Sequence, residues 1–486
     1  MIKSIIREAG YSSRSIILRD LEIEAETGET VLIAGESGSG KTTYILAVTG
    51  VLSNLLRGYV NAEIRVDDLD PLNIDDYRYI PYRVGVVLQD PEKQLTLPTP
   101  WDEISFTLEN LGYSSEEITK RTSEALDRIG LRNKAFLNTE FLSGGEKRRV
   151  VLAASTIHEP GNLFLDEPSA SIDPWGIREI RRFIRENKEK RTILVVEHKP
   201  GFFIDLIDRV VVISRGEVRS IIDVGKSDLR SIQRDLELSG IDPFVPREIK
   251  REPRKILSER KILETKDLVI GYGEEILIEN IDLEIYESEI IALVGPNGSG
   301  KTTLLKTLLG WLRPLSGDIK ILGERVGSSG KRVYRGVFYV PQQPDYLFTS
   351  SSVYRELREC SRVSEEDLER IIPWYKEIKY ENPYRLSHGQ RRWLAISISL
   401  LCGGEILLMD EPTAGLDNHL YTALRDLLRD LVNKYKRSVL ISTHDPRVIA
   451  DLADRVYYID SVKKRIYEED PGKILRFFGD LIEERI

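Results

Sequence analysis

The sequence predicts an α/β protein built from two copies of one domain. Each copy is expected to hold a mainly parallel sheet, an antiparallel β part and a helical part. Two observations carry this. Four motifs occur twice in the same order: GESGSGKTT at 35–43 and GPNGSGKTT at 295–303, LSGGE at 142–146 and LSHGQ at 386–390, LFLDEPSASID at 163–173 and LLMDEPTAGLD at 407–417, VVEHKP at 195–200 and ISTHDP at 441–446. Repetition at a long, nearly fixed offset is the mark of a duplicated unit. The second observation is the alternation of short apolar runs with polar stretches of helical period, which predicts parallel strands joined by helices.

Element by element, IILRDLEIEA and ILIENIDLEI alternate as half-buried strands. TVLIAG and IIALVG are short apolar strands that lead into glycine loops, and ILVVEH and SVLIST read as buried strands of a parallel sheet. SSEEITKRTSEALDRIG reads as a helix with Ser115 as its N-cap. The offset is 260 residues at Lys41/Lys301 and 244 at Asp166/Asp410, because copy one is longer in its middle. The extra length falls around Gln89, whose counterpart is Gln342, and ahead of Ser143, whose counterpart is Ser387. Insertions of this kind are where partner specificity is usually carried. The boundaries read as a first domain at 1–240, a linker at 241–261 and a second domain at 262–486, the linker being charged, broken by proline and best read as a solvated tether. PGKILRFFGDLIEERI, at the end, has the spacing of an amphipathic helix that packs on the protein.

Composition sets outer limits. With 486 residues, 41% apolar and 31% charged, the chain has a sizeable core and a densely charged surface, which excludes a disordered protein. A net charge of −9 argues against a general nucleic-acid coat, so no nucleic acid is expected as a partner. No run of 18 uncharged apolar residues occurs and MIKSIIREAG has no long apolar segment, so neither a membrane span nor a signal peptide is expected. Cys360 and Cys402 match no metal-ligand spacing and make no disulfide framework, which points to a reducing cytosol. Few Gln, Met and Cys with many Glu, Lys, Arg and Ile give a hyperthermophile-like balance.

The motifs carry phosphate chemistry. G-x-x-x-x-G-K-[ST] occurs whole at Gly35–Thr42 and at Gly295–Thr302. Gly35, Gly38 and Gly40, like Gly295, Gly298 and Gly300, let backbone N–H groups approach nucleotide phosphates at a helix N-terminus, with Thr43 and Thr303 just inside the helix. Lys41 and Lys301 reach the β- and γ-phosphates, and Thr42 and Thr302 hold Mg²⁺. Each apolar run that ends in Asp166-Glu167 or Asp410-Glu411 supplies an aspartate for Mg²⁺ and a glutamate as general base for the attacking water.

LSGGE and LSHGQ, just upstream of those acid pairs, resemble the signature motif of ABC-type ATPases, so the chain resembles two P-loop NTPase domains of that family over nearly its whole length. The resemblance implies that Tyr11 and Tyr272 stack on adenine. It implies that Gln89 and Gln342 contact Mg²⁺ and the lytic water, that Ala170–Asp173 and Ala414–Asp417 form D-loops, and that His198 and His444 sense the γ-phosphate. The chain has only six Gln, five of them in the Q-loop stretches or the second signature. The family pairs its copies head to tail. Lys41, Thr42, Gln89, Asp166, Glu167 and His198 would therefore be closed by Ser387 and Gly389, and Lys301, Thr302, Gln342, Asp410, Glu411 and His444 by Ser143 and Gly145. His388 departs from the family's signature glycine; the favoured reading is a tolerated substitution, and the alternative is a side chain that crowds the phosphate or needs an uncommon backbone angle and so tunes the first site.

QDPEKQLTLPTPWDEISFTLENLGYSSEEI, after the first Q-loop glutamine, is similar to the corresponding stretch of energy-coupling-factor (ECF) and cobalt-type importer ATPases. That likeness implies an ATP- and Mg²⁺-using subunit on the cytoplasmic face of the cell membrane. Its partners would be an integral-membrane scaffold (T-type) subunit and a separate membrane subunit that binds a vitamin or metal ion. The alternatives are a soluble tandem ATPase acting on ribosomes and a fused sugar-importer ATPase. Against the ribosome-recycling type stand the two cysteines, too few for its iron–sulfur region, and against the sugar type stand the intact motifs of the second copy.

Overall fold

The computed structural model describes residues 1–36, 38–89, 94–170, 172–225, 227, 229–239, 241, 249, 258–325, 336–360, 364–372, 374–402, 404–414, 416 and 418–482. The chain divides into two compact units, one of residues 1–170 with 176–244, the other of residues 171–175 with 245–486.

In the first unit β1 (Ile2–Ser12), β2 (Ser15–Ala25) and β4 (Tyr59–Val66) form an antiparallel sheet in the order β2-β1-β4. A six-stranded sheet stands beside it. It comprises β3 (Thr30–Ala34), β5 (Val84–Val87), β6 (Asn162–Asp166), β7 (Thr192–Glu197), β8 (Arg209–Ser214) and β9 (Glu217–Asp223), in the order β5-β6-β7-β3-β8-β9. All neighbours are parallel except β8 and β9. Every residue of TVLIA, NLFLD and TILVVE is buried, as a sheet covered on both faces requires. Ile33, Phe164, Leu194 and Val211 join Ile6, Leu18 and Tyr44 in one core under both sheets. A separate small core, with Ile104, Leu126, Leu131, Leu142 and Val150, holds the helices Pro100–Asn110, Ser115–Arg128 and Gly144–Thr156 together.

The second unit repeats the plan. β10 (Lys261–Tyr272) pairs with β11 (Glu275–Ile281), β12 (Glu284–Tyr286) and β14 (Ser316–Ile321), and β14 pairs with β15 (Glu324–Arg325). The main sheet runs β16-β17-β18-β13-β19-β20, from β13 (Ile290–Val294), β16 (Val337–Val340), β17 (Ile406–Asp410), β18 (Ser438–Ser442), β19 (Arg455–Asp460) and β20 (Arg465–Glu469). The closing helix, Pro471–Ile482, puts Ile474, Leu475 and Phe478 into the core of this unit.

Three local expectations change. The N-cap of the 115–128 helix is Ser114, whose hydroxyl accepts the Glu117 N–H, because its backbone is extended while Ser115 is already helical. ILIENIDLEI is two strands rather than one. The Thr265 hydroxyl donates to the Ile281 carbonyl and accepts the Leu283 N–H, taking backbone groups that a continuous ladder would use, and Asn280 turns to a φ of +52°. Cys402 is disulfide-bonded, against the expectation of reduced thiols. Asp90–Lys93 of the first Q-loop stretch, Asp417 of the second D-loop and most of the 241–261 linker lie outside the described residues. Among the described residues no helix is long and apolar enough to cross a membrane.

Candidate nucleotide sites

The strand order decides where the first site lies. β7 sits between β3 and β6, so the carboxyl ends of three parallel strands deliver the glycine loop, the acid pair and His198 to one edge. That edge is where open α/β sheets bind ligands. The glycine loop closes onto the helix Lys41–Val48 with Gly38 at φ +80° and Gly40 at φ +102°. A Cβ on Gly40 would fall 2.5 Å from Leu18 Cδ2, so the residue is confined by both angle and space. Lys41 is buried and donates to the carbonyls of Gly35 and Glu36, 2.8 Å each.

At the end of β6 the chain turns sharply. Glu167 has φ +44°, a left-handed angle that costs a glutamate energy and is characteristic of functional sites. Its N–H donates to Val196 O at 2.8 Å. The Glu167 carboxylate accepts from Gln89 Nε2 at 2.7 Å and lies 3.8 Å from Lys41 Nζ. Thr42 Oγ1 donates to Asp166 at 3.3 Å. Burial, and then the neighbouring Glu167 charge, push the Asp166 carboxyl up to about 6. Burial works the same way on Glu167, yet His198 and Lys41 hold it below the ordinary range. His198 Nδ1 stands 3.8 Å from Glu167 and 3.2 Å from Glu197.

The second site has the same parts, set differently. Gly298 and Gly300 take φ +76° and +97°, and Lys301 donates to Gly295 O and Pro296 O. Glu411 repeats the left-handed turn at φ +48°. Asp410 is held by three hydroxyls: Thr302 at 2.7 Å, Ser442 at 2.5 Å and Tyr339 at 3.2 Å. His444 Nδ1 is 2.9 Å from Glu411, which burial would raise but His444 and Lys301 hold low. Gln342 uses its backbone carbonyl, taking a bond from Arg392 at 2.7 Å, where Gln89 uses its side chain. Arg392 also donates to the carbonyl of Glu411, and burial brings its guanidinium down to about 10.

Within each unit the lysine, threonine, acid pair, glutamine and histidine thus come together. Tyr11 and Tyr272 are half-exposed, and Tyr272 Oη lies 3.3 Å from Thr303 Oγ1. Ser143 and Ser387 are N-caps of the helices Gly144–Thr156 and His388–Leu401, and both complete capping boxes with Glu146 and Gln390. Gly145 and Gly389 fall in the first turns of those helices. The spacing S-x-x-[E/Q] is itself the capping-box pattern, so this role was readable in LSGGE and LSHGQ. Tyr339, Ser442 and Glu197 carried no such signal, since the other copy has a different residue at each place.

The residues fit a nucleotide with Mg²⁺. Among the described residues the hydroxyls of Ser39 and Ser299, buried in the two glycine loops, find no partner, and each threonine points its hydroxyl at an aspartate beside a second carboxylate. Two glycine loops with an invading lysine, each facing a strand-end acid pair, define a tandem ATP-hydrolysing P-loop protein. The ABC transporter family model matches residues 18–170 and 278–414, and the chain belongs to that family. It is 34% identical to a "Putative ABC transporter ATP-binding protein" of Sulfurisphaera tokodaii, over 96% of this chain and 97% of that one. It is 26% identical to a "Putative HMP/thiamine import ATP-binding protein" of Bacillus subtilis, over 94% of this chain and 90% of that one. The solved structure of the archaeal ribosome recycling factor in complex with a stalk protein shares the fold, with a TM-score of 0.67 at 23% identity over 98% of this chain and 92% of that one.

Proposed function

We propose that this ATPase powers an importer of the ECF type, as the subunit that binds two ATP between its two domains. The observation that carries the reading is the near end-to-end match to a relative named for HMP/thiamine import, which agrees with the wording of the stretch after Gln89. In each site the glycine loop and Lys41 or Lys301 bind the phosphates. Glu167 or Glu411 takes the proton of the attacking water, and the site's histidine senses the γ-phosphate. Thr42 with Asp166, and Thr302 with Asp410, would hold Mg²⁺, which supplies positive charge to the phosphate oxygens. Ser143 and Ser387 close the opposite copy's nucleotide in a head-to-tail pair. The domains are 1–240 and 262–486, joined by the 241–261 linker. The partners are a membrane scaffold and a separate small membrane subunit that selects the cargo, a vitamin or metal ion, and the chain works at the cytoplasmic face.

The test is affinity capture of the tagged chain from detergent-solubilised membranes of its own organism, with mass spectrometry. A polytopic scaffold recovered with a second small membrane protein is the expected result. Ribosomal proteins without a membrane partner would replace the importer with a ribosome-acting ATPase.

A further inference from the structure

The residue before each switch histidine differs between the copies: Glu197 in the first, Thr443 in the second. Glu197 ends β7 and is fully buried. A carboxylate there is costly unless it is well bonded. Its Oε1 accepts the N–H groups of His198 at 2.8 Å and Lys199 at 3.0 Å, and its Oε2 accepts that of Ser169 at 3.3 Å. One side chain therefore ties the loop bearing the histidine to the turn that follows the Glu167 carboxylate. The same Oε1 lies 3.2 Å from His198 Nδ1, nearer than Glu167 at 3.8 Å. Thr443 does neither. Its hydroxyl accepts the Asp445 N–H at 3.0 Å, and His444 is left to Glu411 at 2.9 Å.

We propose that Glu197 is a positioning residue of the first nucleotide site, locking the loop of His198 to the Ser169 turn and setting the ring by a carboxylate 3.2 Å from Nδ1, a charge contact rather than a hydrogen bond. Among the described residues neither ring nitrogen has a hydrogen-bond partner, and with Nδ1 facing Glu197 it is Nε2 that is kept for the nucleotide. The second site lacks this device. The inference rests on His198 being the γ-phosphate sensor.

First-site turnover is read in an E411Q background, which silences the second site. There E197T, which copies the second site, lowers kcat about tenfold while KM for ATP stays within about twofold, the KM-against-kcat split of a group acting through another. E197Q keeps an oxygen acceptor of the same reach and recovers most of the rate. An unchanged kcat in E197T, or equal losses in E197T and E197Q that track a fall in melting temperature, overturns the proposal. H198A in the same background separates the two layers. If it abolishes turnover while E197T leaves kcat within about twofold, the sensor stands and Glu197 is only a loop brace. If H198A turns over normally, the sensor assignment fails and the proposal with it. Should E197T not fold, ¹⁵N spectra of the five imidazoles decide. E197Q is expected to move the His198 Nδ1 resonance and leave that of His444 in place; a His198 signal unmoved by E197Q overturns the proposal.

Discussion

The two nucleotide sites hold the same acid pair by different means. Asp410 accepts hydrogen bonds from three hydroxyls, those of Thr302, Tyr339 and Ser442. Among the described residues Asp166 has one, the longer bond from Thr42, because Val86 and Val196 stand where the second copy has Tyr339 and Ser442. The first site spends its polar groups on the other side: Gln89 bonds the Glu167 carboxylate, and Glu197 shares the histidine. The second site orients Asp410 and pairs Glu411 with His444 directly; the first holds Glu167 through Gln89 and sets His198 beside a third carboxylate, Glu197, so under the proposed roles base and sensor are aimed differently in the two copies. After duplication, what stays constant is the set of reacting groups, and what diverges is the neighbours that aim them.

The largest test of this comparison removes the bases. Glu167→Gln with Glu411→Gln is expected to retain ATP binding and lose turnover by about 100-fold or more, the usual worth of a general base. The single variants then divide the rate between the sites. Equal halves would mean that the different neighbours have no kinetic consequence, and retained hydrolysis in the double variant would sink the base assignment.

The next test concerns how each unit braces the segment beyond its histidine. Both use a buried arginine, but not at corresponding positions. Arg181 donates to Phe202 O at 2.5 Å and to both oxygens of Asp205, 2.7 and 2.6 Å, while Arg447 pairs with Asp445 at 2.7 Å with both partners buried. Removing one partner of a buried pair strands the other charge. Asp445→Asn is therefore expected to cost about 3 kcal/mol and Asp205→Asn less, because half-exposed Asp205 is less desolvated and buried Arg181 keeps the Phe202 carbonyl as an acceptor. Thermal unfolding of the two variants reverses the comparison if Asp205→Asn is the more damaging. Burial would raise the Asp205 carboxyl, but Arg181 holds it below its ordinary value. Its stabilisation is thus present at neutral pH and is lost as the pH falls through that lowered value. The melting temperatures of wild type and Asp205→Asn should approach each other in acid and separate above about pH 4.

The duplication, the strand-to-loop-to-helix order and the groups that meet at the strand ends were legible, because each rests on local pattern: apolar runs, glycine spacing, an acid pair at the end of a run. The left-handed turn at Glu167 and Glu411 was not, since a glutamate signals no positive φ, and it is the pairing of each residue's N–H with the neighbouring strand that defines it. Tyr339 drew no reading from the sequence, and its bond to Asp410 exists because β16 lies beside β17, a contact between segments about 70 residues apart. Ser114 was displaced by one residue because cap and first helical turn both offer serine.

Tyr339 gives a smaller prediction. Its phenol is pushed up by burial and by Asp410, so it stays a donor at any working pH. Tyr339→Phe removes one of three hydroxyls, worth about 1 kcal/mol. In a Glu167→Gln background the Mg²⁺ concentration for half-maximal second-site rate should shift about fivefold. No shift would mean that the extra hydroxyls are packing residues rather than part of the difference between the sites.

The smallest effect is expected at His388. A side chain in place of the signature glycine suggested an uncommon backbone angle. The structure removes that reason: Ser387 is an extended N-cap at φ −61° and ψ 159°, and His388 is the first residue of the helix, a position any residue adopts. What remains is crowding of the phosphate that this helix faces in the proposed head-to-tail pair. His388→Gly should therefore change first-site turnover by no more than about twofold, the cap and its box with Gln390 being intact. The second site, faced by Ser143, should not respond. Rates measured in Glu411→Gln and Glu167→Gln backgrounds separate the two, and a change confined to the second site would overturn the pairing itself.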